Sequence, residues 1–289
     1  MNLLIQEYMC TLYFKVLCYS VFTLLKKELL NFFKTQLMLT SKGWITHFEQ
    51  NATKNRIDFS LSPGITKKEL DPILPSLQAW QLGETSDGFH LMKAAARYAC
   101  RIGDPDYTEA VRLFIKEEQK HGNNLGRYLD AIGQPRIGFN WGDELFRRIR
   151  YFNTSMEIWT LAVITVESTA QIFYQAIKDA SSCSLLRQIC TDILIDEADH
   201  IRFQSERMAI IFHSKKSLGQ WMAPMLYAIF FIMTSLVVWF AHRKAFRAGG
   251  LNLSSYLRKM EFKRLKCLPR QFPVFSHRIF NLRVKSPAI

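Results

Sequence analysis

The sequence predicts an all-α protein built around a four-helix bundle, and three observations carry that expectation. Long stretches place apolar residues at the helical period, while Gly and Pro stay modest at 13 and 9 of 289 residues. Alternating strand patterns and a phosphate-cradling glycine loop are not evident. Two short stretches, Glu118-Gln119-Lys120-His121 and Glu197-Ala198-Asp199-His200, repeat one pattern. Each sets a carboxylate and an imidazole three residues apart, which a helix brings to one face.

The elements follow in order. Residues 1–74 read as an N-terminal apolar helix and a connector, 75–213 as the bundle, and 214–289 as an apolar helix with a basic tail. The segment 1–33 is apolar and aromatic. It lacks the basic start and small-residue cleavage site of a secretory signal, so it reads as an amphipathic helix that docks on the bundle or on a membrane surface. Residues 35–74 read as a connector with a turn at Pro63-Gly64. The first bundle helix ends near Ile102, before Gly103-Asp104-Pro105-Asp106. The second spans 106–132, with Asp104 or Asp106 as its start signal and Gly133 as its stop. Its stripe is Val111, Phe114, Ile115, Leu125, Leu129 and Ile132, and Glu118 and His121 fall inside it. Residues 133–153 make a long crossover to the third helix, which holds the apolar run 158–166. A Ser-rich turn at Ser181-Ser182 leads to the fourth helix, 184–212, with a stripe of Leu186, Ile189, Ile193, Met208 and Ile211. Glu197 and His200 lie on or beside that stripe. Lys116, Glu117, Lys120, Asp199 and Arg202 look like the solvated faces.

Two E-x-x-H matches exceed what random placement of fourteen glutamates and seven histidines supplies. A charged group on a buried stripe is costly unless something pairs with it, and a carboxylate beside a neutral imidazole suits iron or manganese. Two more carboxylates stand at fitting levels. Glu84 precedes Glu118 by 34 residues and Glu167 precedes Glu197 by 30, so on antiparallel helices rising 1.5 Å per residue each pair comes level. Glu167 sits in an otherwise apolar run and needs a partner. Gly83 and Gly88 flank Glu84, leaving Asp87, one turn later, as its alternative; His90 reads as a surface or outer histidine.

Glu84, Glu118 with His121, Glu167, and Glu197 with His200 together resemble the ferritin-like superfamily of di-iron carboxylate proteins. The stretches FIKEEQKHGNNLGRYLDAIGQPRI and ILIDEADHIRFQSER are also similar to a group of bacterial ferritin-like proteins without an assigned role. The resemblance covers about residues 75–213. It implies a ferritin-like bundle in which Glu118 and Glu197 bridge two metal ions, His121 and His200 cap one each, and Glu84 and Glu167 are terminal. It implies two irons, Fe/Fe or Mn/Fe, and an O2-activating oxidoreductase with an external electron donor if it is an oxygenase. Asp87, Tyr128, Gln171, Tyr174 and Asp196 are candidates to stand behind the ligands. Ala170 and Gln171 occupy the level where rubrerythrins carry an extra carboxylate, and no Cys-x-x-Cys pair exists, so a self-contained rubrerythrin peroxidase is not expected. The rival readings are an iron-oxidising or iron-binding ferritin-like protein and a non-catalytic, membrane-associated helical scaffold.

Charge adds a partner class. From Arg243 onward there are twelve Lys or Arg against one acid, Glu261, so this tail carries eleven of the thirteen net positive charges. Such a tail attracts anionic surfaces, and Tyr256, Phe262, Phe272, Phe275 and Phe280 suit a lipid headgroup layer; no nucleic-acid module is recognisable. A solvated tail is the plainer reading. Residues 222–241 carry no charge and are long enough to span a bilayer. The positive-inside rule would then put the metal domain outside, at odds with six scattered cysteines and iron chemistry. A helix packed on the bundle or lying in a membrane surface is therefore favoured over a span, in a cytoplasmic and membrane-associated protein. The apolar shell points to a small, lipophilic substrate. Gly-x-Ser-x-Gly is absent, so nucleophile-elbow hydrolysis has no support.

Overall fold

The computed structural model describes residues 38–142, 144, 148, 155–215 and 217–271, with side chains undescribed at 217–221 and 268–271. Residues 1–39 form a unit of their own, of which Met38 and Leu39 are described. The helix expected at 1–33, residues 143, 145–147 and 149–153 of the crossover, and residues 272–289 lie outside the described residues. From Thr40 on, the described residues hold eight helices: α1 Ser41–Ala52, α2 Lys67–Glu84, α3 Phe89–Ile102, α4 Asp106–Ala131, α5 Met156–Ala180, α6 Ser184–His213, α7 Ser217–Ala248 and α8 Leu253–Gln271.

Local signals set several ends. Thr66 accepts the Glu69 amide while the Glu69 carboxylate accepts the Thr66 amide at 2.9 Å, a reciprocal cap that starts α2. The Ser155 hydroxyl accepts the Ile158 amide at 3.4 Å and starts α5. α5 and α6 form a long antiparallel pair joined at Ser181–Cys183, and α4 packs between α6, α2, α3 and α1. α7 covers the outer side of α5 and α2, and α8 folds back over α5, α6 and α7. The core runs through the α5–α6 pair, where Ile164, Phe173, Ile177, Leu186, Ile189 and Ile193 are fully buried.

Three expectations change here. The expected first bundle helix is two helices: α2 ends on Glu84 itself, and α3 starts at Phe89. Gly88 between them sits at φ +66°, a left-handed conformation that glycine adopts without strain, and a β-carbon there would meet Ile115 at 2.5 Å. The connector expected at 35–74 contains α1 and the start of α2. α1 is capped by Thr40 and buries Trp44, Phe48 and Asn51 at helical spacing. Part of the expected solvated tail is the helix α8, which buries Tyr256, Met260 and Cys267. Residues 222–241 lie in α7, packed on the bundle along one side.

Candidate metal centre

α4 and α6 pack against each other, and each carries an E-x-x-H pair on its buried side. Two quartets result: Glu84, Glu118, His121 and Glu197; and Glu118, Glu167, Glu197 and His200. Within each quartet the ligand atoms lie within 4.8 Å of one another, and Glu118 and Glu197 belong to both. The structure thus brings together all six residues singled out from the sequence. Glu84 comes from the last residue of α2, Glu167 from the middle of α5. Glu84 reaches its place because α4 carries Gly122, next to His121. A β-carbon on Gly122 would sit 2.7 Å from the Thr85 methyl and 3.0 Å from the Glu84 backbone carbon.

Each imidazole is held from behind by an acid of the opposite helix. His121 Nε2 lies 3.0 Å from Asp196 Oδ2, and His200 Nε2 lies 2.8 Å from Glu117 Oε2. An Nε2–H donated to a carboxylate leaves Nδ1 as the free lone pair, turned into the centre. Nδ1 of His200 lies 2.7 Å from Glu118 Oε1 and 3.4 Å from Glu197 Oε2, and Nδ1 of His121 lies 3.8 Å from Glu197 Oε1. The shortest of these is an ion contact without hydrogen-bond geometry: both Nδ1 atoms, Glu118 Oε1 and both Glu197 oxygens are buried without a hydrogen-bond partner. So many orphaned acceptors at one buried point are costly in a protein that has nothing to place among them. The donor set, carboxylate oxygens with imidazole nitrogens, fits a pair of iron or manganese ions.

The electrostatics match. Burial, then the charges of Glu118 and Glu197, push the Glu84 carboxyl well above its ordinary range. Burial, then Glu118 and Glu197, do the same to Glu167. Burial would also raise Glu118, but His200 beside it brings that carboxyl down to about 2. Burial works against a charge on His200, yet Glu118, Glu117 and Glu197 around it raise it well above its ordinary value.

A further layer fixes the acids that hold the histidines. Asn51 of α1 donates to Glu117 and, at 2.8 Å, to Asp196. Lys120 Nζ and Arg56 Nη1 each donate to Asp196 at 2.8 Å, and Arg56 also holds Asp192 at 2.6 Å. Burial opposes the Asp196 charge, but His121, Lys120 and Asn51 hold its carboxyl far below the usual carboxylate range. On the other side, the Tyr174 hydroxyl donates to Glu84 Oε1 at 2.7 Å.

The remaining candidates stand elsewhere. Asp87 is exposed and accepts the Phe89 amide at 3.0 Å just before α3, leaving the inward position to Glu84. Tyr128 does not face the centre: its buried phenol lies among Cys183 and Cys190 at the α5–α6 turn, and burial followed by those thiols pushes it up. Gln171 turns outward to accept Lys263 of α8. Asp192 is one step out, on Arg56, and His90 is exposed. Glu117 and Lys120, which resemble a solvated face in the sequence, are instead part of the support, and Asn51 and Arg56 come from the supposed connector. The available signal was the acid directly preceding each ligand glutamate, Glu117 before Glu118 and Asp196 before Glu197. A cavity of about 200 Å3 opens beside Glu84, Glu118 and Glu167. Its other walls are largely apolar, including Trp80, Leu91, Phe114, Trp159, Val163 and Val166, with Val237, Val238, Ala241 and His242 from α7.

Solved structures that superpose on this chain include R2-like ligand-binding oxidases. One variant with an aerobically reconstituted Mn/Fe cofactor superposes with a TM-score of 0.55 at 17% identity, covering 82% of this chain and 95% of that one. Another, anaerobically reconstituted with Mn/Fe, gives 0.53 at 18% identity over 82% and 96%. The chain has the ferritin-like fold. No protein-family profile and no curated protein sequence matches it.

Proposed function

We propose that the protein is a di-metal carboxylate oxidoreductase, Fe/Fe or Mn/Fe, that activates O2 and acts on a small lipophilic molecule. The observation that carries this reading is the pair of buried quartets sharing Glu118 and Glu197, with both Nδ1 atoms and three carboxylate oxygens lacking hydrogen-bond partners. Glu118 and Glu197, common to both quartets, would help hold both ions, with Glu84 and His121 at one and Glu167 and His200 at the other. Four carboxylates balance two divalent ions, so the loaded centre is neutral and tolerates burial. When bound, the ions supply the electrons and open positions that O2 requires; an external donor restores the electrons where the substrate does not.

The chain's own residues do the rest. Asp196 and Glu117 keep each imidazole in the tautomer that presents Nδ1. The Tyr174 hydroxyl fixes one oxygen of Glu84 and leaves the other for the centre. The apolar walls of the cavity exclude water and favour an apolar substrate beside Glu84, Glu118 and Glu167. Three of the fourteen glutamates thus face the substrate space, which supports an oxidase acting on a bound molecule over simple iron storage. A non-catalytic scaffold would bury four carboxylates and two imidazoles with only protons to neutralise them.

Metal analysis and O2 uptake test the reading. The purified chain, reconstituted with Fe(II) or Mn(II)/Fe(II), should hold two ions and consume O2. Glu118→Ala and His200→Ala should lose them. A protein that binds no metal, or one in which Glu167→Ala changes nothing, would refute it.

A further inference from the structure

We infer that the outer face of α7 and the basic α7–α8 corner dock on an anionic lipid surface, with α7 lying in the interface and not crossing it. The inner face of α7 is committed to the protein: Tyr227, Phe231, Val238 and Trp239 are buried, and the Tyr256 hydroxyl of α8 donates to the Ser235 carbonyl at 3.1 Å. The other face is apolar and open. Met225, Leu226, Ile229, Ile232, Met233 and Phe240 are between 47% and 60% exposed. Their spacing of three and four residues makes one stripe, about 22 Å long at helical rise.

Exposed cations follow directly. Arg243, Lys244 and Arg247 end α7, and Arg258, Lys259 and Lys266 stand exposed on α8. No Asp or Glu occurs between Ser214 and Met260, and the first acid beyond, Glu261, is engaged by Arg264 at 2.8 Å. An apolar stripe that runs into unneutralised cations matches a layer of acyl chains under anionic headgroups. A second copy meeting it through the same face brings no Asp or Glu from 214–260, so a symmetric self-association leaves the charge unanswered. To cross the bilayer alone, α7 would have to leave α2 and α5 and uncover Tyr227, Phe231, Val238 and Trp239. The inner face also supplies Val237, Val238 and Ala241 to the apolar cavity, so lipid on α7 would sit one helix away from the proposed substrate space. That last consequence rests on the function proposed above; the docking itself does not.

Vesicle flotation of the full chain tests the docking without metal or O2, so it fails or succeeds independently of the oxidase reading. The chain should float with phosphatidylcholine–phosphatidylglycerol vesicles, more weakly with pure phosphatidylcholine, and lose affinity as salt rises. Leu226→Glu with Ile229→Glu should abolish flotation. Arg243→Gln, Lys244→Gln and Arg247→Gln should each lower affinity for the anionic vesicles by about fivefold and leave the weak phosphatidylcholine binding unchanged. The glutamate substitutions are at exposed positions, and the charge variants keep the test valid should they impair folding. Absence of flotation, flotation indifferent to all these variants, membrane association that survives alkaline carbonate, or dimerisation abolished by Leu226→Glu would each overturn the inference.

Discussion

Two acids that touch no ligand oxygen in the quartets set the chemistry of both histidines. Glu117 reaches from α4 to His200 on α6, and Asp196 reaches from α6 to His121 on α4, so each helix orients the other's imidazole. Removing such a support typically lowers metal affinity by about 10- to 100-fold. Asp196→Asn should therefore weaken chiefly the ion held by His121, and Glu117→Gln the one held by His200; competition titrations that resolve two binding steps check this. An equal loss at both steps would show that the acids act only on the fold. Protons follow the same logic. Without metal, burial and neighbouring charge raise Glu84 and Glu167 well above 4.5, and the surrounding carboxylates raise His200 well above 6.5, so all three keep their protons to higher pH than they would in the unfolded chain. Ions must displace those protons, and affinity should rise with pH. The folded metal-free chain holds more protons at these sites than the unfolded chain, so their contribution to its stability falls as pH climbs past 4.5 and then 6.5. The lowered Glu118 acts in the opposite sense, but only below 4.5. The melting temperatures of loaded and metal-free protein should thus separate as pH rises, with proton release measurable in weakly buffered metal titrations.

At the scale of elements, the meeting of α2 and α4 decides whether Glu84 arrives. Gly122→Ala would press a methyl against Thr85 and the Glu84 backbone; overpacking of this kind costs about 1–3 kcal/mol and would also move one terminal carboxylate. Gly83→Ala meets nothing within 4 Å and should stabilise α2 by about 0.5–1 kcal/mol. Thermal melts and metal titrations of the two variants should move in opposite directions in stability, with binding weakened by Gly122→Ala. The same junction shows what sequence can and cannot reveal. The E-x-x-H pairs were legible because both members lie on one helix, where spacing alone brings them together. Glu84 was legible by its level, but the break after it was not: Gly83 and Gly88 flank it, and only the φ of +66° at Gly88, with no room for a β-carbon beside Ile115, shows which glycine turns the chain. α1 was missed because its buried residues, Trp44, Phe48 and Asn51, mix apolar and polar types within 12 residues. Glu117 and Lys120 were misjudged because neighbouring charges look solvated until the partner, 83 residues away for Glu117 and 76 for Lys120, is placed beside them.

For the whole molecule, one long antiparallel pair, α5 and α6, forms the spine, α4 and α2 bring the other ligands to it, and α1 locks the acids behind the histidines. α7 closes one side of the apolar cavity and turns an apolar face outward. The long-range order of the ligands, Glu, Glu-x-x-His, Glu, Glu-x-x-His, was readable because the bundle repeats it. The cavity was not, since its walls come from α2, α3, α4, α5 and α7 at once. The interior is organised around a cluster of four carboxylates and two imidazoles that could hold two metal ions, and diffraction can test that directly. Anomalous difference maps from crystals of the Mn- and Fe-loaded protein should show two peaks in the bundle core. One should lie among Glu84, Glu118, His121 and Glu197, the other among Glu118, Glu167, Glu197 and His200. A single peak, peaks elsewhere, or an empty core in protein loaded with both metals would contradict the account.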